Sequence, residues 1–118
     1  MSESPPELKI KLQIYRDDQV AMGPGKAMLL EAIEEAGSIS GAARAVGMSY
    51  RRAWMLVDTM NHCWAEPLVE TAPGGRARAG ARVTATGREV LASYRALQKR
   101  AAGARSIKAW AKLQDLLL

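Results

Sequence analysis

The sequence predicts a mainly α-helical fold with a small β-wing, and three observations carry that expectation. Gly37 to Trp64 (GSISGAARAVGMSYRRAWMLVDTMNHCW) reads as two helices joined by a tight turn, with Tyr50, Arg51 and Arg52 on the first turn of the second. The stretch TAPGGRARAGARVT is broken by Pro73, Gly74, Gly75 and Gly80, which excludes a helix and leaves strand, glycine-rich loop and strand. From Val90 to Leu117 apolar residues recur at three- and four-residue intervals, the spacing of one helical face. Together they describe a winged helix-turn-helix with an N-terminal strand and a long C-terminal dimerisation helix.

Met1 to Glu7 is acidic, carries Pro5 and Pro6, and is expected to be a disordered tail. In LKIKLQIY, Leu8, Ile10, Leu12 and Ile14 alternate with Lys9, Lys11, Gln13 and Tyr15, the period-two pattern of a strand with one core face and one basic face. Its edge is expected to be open to pairing with another copy. RDDQVAMGPG reads as a loop, closed by Gly23, Pro24 and Gly25. A first helix is expected from about Lys26 to Ala36, with Met28, Leu29, Ala32 and Ile33 on its apolar face and Gly37 at its end.

Ser38 and Ser40 are both N-cap residue types, so a second helix is expected to start near Ser40, to turn Ala42, Ala43 and Val46 inward, and to stop at Gly47. Ser49 caps the third, whose Ala53, Leu56, Val57, Met60 and Trp64 form a buried stripe that leaves Tyr50, Arg51, Trp54 and Asp58 outside. AEPLVET gives a short strand at Leu68 and Val69, and the hairpin it opens carries Arg76, Arg78 and Arg82. A last helix is expected to begin around Thr84 to Thr86, where Thr86 and Glu89 have capping-box spacing, with Val90, Leu91, Tyr94, Leu97 and Ala101 on its stripe through Gly103. Ile107, Trp110, Leu113 and Leu117 then continue an apolar side. So small a domain cannot bury all of it, which implies a partner, by default a second copy. The expected division is a tail (1–7), a helix-turn-helix domain (8–86) and a dimerisation helix (87–118).

Length and charge narrow the function. The 118 residues suffice for one domain, and a formal charge of +5 favours a polyanionic partner, nucleic acid before membrane. The single cysteine, Cys63, permits no internal disulfide and no thiolate-rich metal site, so no metal or cofactor and a reducing, cytoplasmic setting are expected. No stretch approaches the roughly 18 apolar residues of a spanning helix, and the start is not a signal peptide. Catalysis is not expected: Glu34 and Glu35 are adjacent but diverge, Asp17 and Asp18 sit in a loop, and GPGK has the wrong spacing for a P-loop. His62 reads as a surface or capping residue, Cys63 as a small packed hydrophobe, and Met22, Met28, Met48, Met55 and Met60 share no helical face that would make them a metal-binding set.

The run GPGKAMLLEAIEEAGSISGAARAVGMSYRRAW, the later LVET, the wing APGGRARAGARVT and the closing TGREVL resemble the N-terminal DNA-binding domain of the ModE family. ModE proteins are molybdate-responsive transcriptional regulators with a winged helix-turn-helix similar to that of LysR-type regulators. The resemblance covers about residues 8 to 105. It implies that the second helix of the motif enters the major groove, that the wing touches backbone or minor groove, and that the domain dimerises. By position, Ser49, Tyr50, Arg51, Arg52 and Trp54 begin the recognition helix, and Gly74, Gly75, Arg76, Arg78 and Arg82 belong to the wing. Nothing in the chain resembles the molybdate-binding domains of that family, so a stand-alone ModE-like regulator is expected, linked to molybdate or metal homeostasis.

The contacts implied for double-stranded DNA follow from side-chain chemistry. An arginine fork pairs bidentately with guanine O6 and N7, and one such contact discriminates by about 1–3 kcal/mol. Arg51 is the expected reader, with Arg52 as reader or phosphate clamp; Ser49 and the N–H groups beside it suit a phosphate. Tyr50 is expected to meet a phosphate or a thymine methyl, and Trp54 either packs between helices or faces DNA. Arg76, Arg78 and Arg82 supply affinity through phosphates or the minor groove. Leu91, Tyr94, Leu97, Ile107, Trp110, Leu113 and Leu117 are the expected homodimer surface. The competing reading is a winged-helix protein-interaction or adaptor module, for which cations at both DNA-facing places have no use.

Overall fold

The computed structural model describes residues 4–72 and 80–118, and within them three central helices position everything else. The first, α1 (Pro24–Ala36), begins with proline at a helix start, where its missing N–H costs nothing. It buries Ala27, Leu29, Leu30 and Ile33, and each of the larger three contributes about 1.5–3 kcal/mol by leaving water. The second, α2 (Ile39–Val46), starts one residue before the expected Ser40, because Ser38, the first of the two candidate caps, is the one used: its Oγ accepts from the Gly41 N–H at 3.0 Å. Gly47, at φ 74°, ends α2 in the left-handed region open to glycine, and α3 (Tyr50–Cys63) begins three residues later.

Two antiparallel hairpins flank these helices. Of the predicted strand over Leu8–Tyr15 only Ile14 and Tyr15 are in a strand: β1 (Ile14–Arg16) pairs with β2 (Gln19–Met22), which lies in the stretch expected to be a loop. Asp17 turns the hairpin at φ 57°, a conformation that aspartate tolerates better than most residues. Residues 8–13 run extended without a ladder and are held by side chains: the Tyr94 hydroxyl donates to the Leu12 carbonyl at 2.8 Å, and Arg105 donates to the Leu8 carbonyl from Nε at 3.0 Å and Nη2 at 2.7 Å. Of the alternating apolar residues, Leu12 and Ile14 pack on the core, whereas Ile10 is exposed.

The second hairpin joins β3 (Val69–Thr71) to β4 (Ala81–Val83) in the register Val69 to Val83, Glu70 to Arg82 and Thr71 to Ala81. Its base is fastened to the end of α1 by the Ala81 N–H, which donates to the Gly37 carbonyl at 2.9 Å. The wing loop's Gly74, Gly75, Arg76 and Arg78 lie outside the described residues.

The fourth helix, α4 (Ala85–Ala102), starts within the expected Thr84–Thr86 window and is capped by Thr84 rather than by the capping-box residue Thr86. The Thr84 Oγ1 accepts from the Gly87 N–H at 2.9 Å, whereas the Thr86 hydroxyl donates to Glu66 at 2.6 Å. Gly87 is needed there, since a Cβ would collide with the Leu68 carbonyl and lie 2.7 Å from Val83 Cγ1. Two ion pairs tie α4 to α1, Arg95 to Glu31 at 2.6 Å and Arg88 to Glu34 at 3.3 Å, and the reversed order of partners means that the helices run antiparallel. The single long C-terminal helix is also corrected: α4 gives way to a 3₁₀ turn at Gly103–Ser106, Ile107 is extended, and α5 (Lys108–Leu116) follows with no buried residue. Glycine at 103 disfavours continuation, and Arg105 within the turn is drawn to the Leu8 carbonyl.

Candidate nucleic-acid interface

The inner face of α3 is built as its pattern predicts, with Ala53, Val57 and Met60 buried and Leu56 and Trp64 half-buried. Ser49 caps it: its Oγ accepts from the Arg52 N–H at 3.1 Å, so that oxygen serves the helix and only the hydroxyl proton is left for a ligand. The far end is pinned twice. Trp64 Nε1 donates to the Ala21 carbonyl at 3.0 Å, which holds α3 against the first hairpin. Asn61 clasps the second hairpin: Oδ1 accepts from the Leu68 and Val69 N–H groups at 2.9 and 3.1 Å, while Nδ2 donates to the Val69 carbonyl at 3.0 Å.

That mounting turns one face of α3 outward. Tyr50 is 55% exposed, Trp54 48% and Met55 55%, and Arg51 and Arg52 are exposed as well. Neither arginine forms a salt bridge among the described residues, in contrast to Arg82, Arg88 and Arg95. Lys26, on the first turn of α1, adds to the cationic neighbourhood. Burial lowers its pKa below the usual lysine value, Cys63 acts in the opposite sense, and Arg52 pushes it further down, so the two cations feel each other. Asp58 ends the basic run; its Oδ1 lies 3.5 Å from Nδ1 of exposed His62.

Other expected site residues are placed differently. Arg82 is engaged with the cross-strand Glu70 carboxylate at 3.0 Å. Tyr94 does not present a dimer surface: it is 1% exposed, its hydroxyl is committed to Leu12, and burial raises its pKa above the ordinary tyrosine value. Leu91 is half-buried against the core, Trp110 is half-buried, and Leu97, Ile107, Leu113 and Leu117 are exposed. Lys26, Met55 and Asn61 were not singled out from sequence as site residues. Asn61 had a signal, being a polar residue four positions after buried Val57 on the edge of the apolar stripe.

No family model matches the chain. Curated relatives do. The "Molybdenum-pterin-binding protein MopA" of Rhodobacter capsulatus is 44% identical over 98 residues, 83% of this chain and 36% of that protein. The "Molybdenum transport protein ModE" of Azotobacter vinelandii is 43% identical over 88 residues, 75% of this chain and 33% of its own length. Over that length the chain is similar to proteins named ModE and MopA. The "DNA-binding transcriptional dual regulator ModE" of Escherichia coli (strain K12), at 34% identity over 87 residues, covers 74% of this chain and 31% of its own length. The chain thus spans about a third of the length of the curated relatives it matches.

Proposed function

We propose that this chain is a sequence-specific DNA-binding transcriptional regulator, with a winged helix-turn-helix that reads a pseudo-palindromic site as a homodimer. The observation that carries the reading is the pair Arg51 and Arg52, exposed at the capped start of α3 and without salt bridges among the described residues. Charged side chains held at a helix start with no protein partner suit a polyanion, and the helix start itself favours phosphate. Arg51 reads a guanine, Arg52 and Lys26 hold backbone phosphates, and the wing, with Gly74, Gly75, Arg76, Arg78 and Arg82, adds contacts that position without specifying. The printed name of the E. coli relative supports a DNA partner, and the molybdenum in the names of the other two supports a role in molybdenum handling.

The homodimer forms through Leu97, Ile107, Trp110, Leu113 and Leu117, and its two α3 helices meet half-sites about one helical turn, or a multiple, apart. Repeated selection of duplexes from a random pool by the protein tests this. Enrichment of an inverted repeat with such spacing is expected; a pool that stays random would contradict it and favour the adaptor reading, for which the exposed leucines of α5 are the supporting observation.

A further inference from the structure

The outward face of α3 holds more apolar surface than phosphate binding needs. Trp54 and Met55 lie three and four residues beyond Arg51, so they are its neighbours on the next turn, on either side of it. Tyr50 adjoins Trp54 in the same way. All three are about half exposed. Apolar side chains standing among unpaired arginines mark a contact surface rather than a solvated face.

Resting on the DNA-binding reading above, we infer that Trp54 and Met55, with Tyr50, form an apolar receptor for thymine 5-methyl groups beside the base that Arg51 addresses. The 5-methyl of thymine is the apolar group that the major groove offers, and apolar side chains are its ordinary partners. Charge fixes the direction of the surface: Arg51 and Arg52 bring it to the duplex, and the Asp58 carboxylate, seven residues beyond Arg51, repels phosphate and limits the reading surface to the first turn and a half. Arginine alone would specify guanine; the added apolar pair makes the half-site a guanine flanked by thymine.

The test uses the duplex that the wild-type protein enriches, and copies in which each thymine in turn is replaced by deoxyuridine, which removes only the methyl group. Wild type, Met55→Ala and Trp54→Ala are titrated against all of them, with melting curves to show that each variant is folded. One or two positions per half-site are expected to weaken wild-type binding about fourfold per methyl lost, and that penalty is expected to disappear in the variant lacking the contacting side chain. Equal binding of wild type to every deoxyuridine copy, or a penalty that persists in both variants, would overturn the inference while leaving DNA reading intact. If wild type enriches no duplex, the DNA-binding reading falls and this inference with it.

Discussion

Asn61 ties α3 to the second hairpin, because one amide satisfies the N–H groups of Leu68 and Val69 at the start of β3 and the Val69 carbonyl. Asn61→Ala leaves both donors unpaired in a half-buried place, and a loss of about 1–3 kcal/mol is expected in urea unfolding. Asn61→Asp keeps the acceptor and loses the donor, so it is expected to fall between. The amide was visible in the sequence but its role was not, since its partners arrive only when the chain returns as β3. Arg51 and Arg52 were legible because a cap and helical spacing fix their exposure locally. Tyr94 was misassigned for the opposite reason: spacing put it on an apolar stripe, and only the fold shows that the stripe's covering is the chain's own Leu8–Gln13 segment. Tyr94→Phe is expected to cost about 0.5–1.5 kcal/mol at neutral pH. The raised pKa of Tyr94 gives this a sign with pH. The unfolded chain ionises first, so the advantage of tyrosine over phenylalanine is complete below about pH 10 and shrinks as pH rises through that value. Melting curves of both proteins from neutral to alkaline pH would show the gap closing; a constant gap would contradict it.

Among the elements, α2 and α3 were legible to within about a residue, because caps and apolar periodicity are local signals; α1 starts at Pro24 rather than Lys26, and Met28, expected on its apolar face, is exposed while Ala27 and Leu30 are buried. The hairpins were less legible. Alternation over Leu8–Ile14 gave an inward face that holds only at Leu12 and Ile14, Ile10 being exposed, and it cannot say whether the neighbour is a strand or a helix; here Tyr94 of α4 meets Leu12, and the strand pairing lies at Ile14–Met22. The capping box at Thr86 failed because a tertiary contact decided the helix start: Gly87 must lie against the Leu68 carbonyl, which places the cap at Thr84. Gly87→Ala tests that packing. The alanine gains helix propensity worth about 1 kcal/mol, yet the forced shift of backbone and Val83 is expected to outweigh it, for a net loss of about 1–3 kcal/mol in chemical unfolding. A variant as stable as wild type would show that α4 does not press on the wing strands.

At the scale of the whole molecule, the chain is extended for its length. The Cα radius of gyration is 17.8 Å, against about 13.5 Å for a compact chain of this length, and the long axis is 59 Å. The excess is consistent with an arm whose Leu113, Leu116 and Leu117 meet solvent. If that arm pairs with a second copy, Leu113→Asp/Leu117→Asp is expected to convert the dimer to a monomer in sedimentation while leaving the melting of the core helices almost unchanged, since none of α5 is buried in the protomer. An unaltered sedimentation coefficient would move the interface elsewhere. Apolar excess was legible in the sequence, but the bend at Gly103–Ser106 was not, because it depends on Arg105 reaching back to Leu8.

The central claim is that α3 reads DNA through Arg51 and Arg52. Its most direct test is a titration of the enriched duplex and of a random duplex with wild type and with Arg51→Ala/Arg52→Ala at several salt concentrations. The account predicts wild-type binding at least a thousandfold tighter to the enriched duplex, falling steeply with salt, and loss of most of that preference in the double variant. Equal affinity of wild type for both duplexes, unchanged by the substitutions, would contradict it.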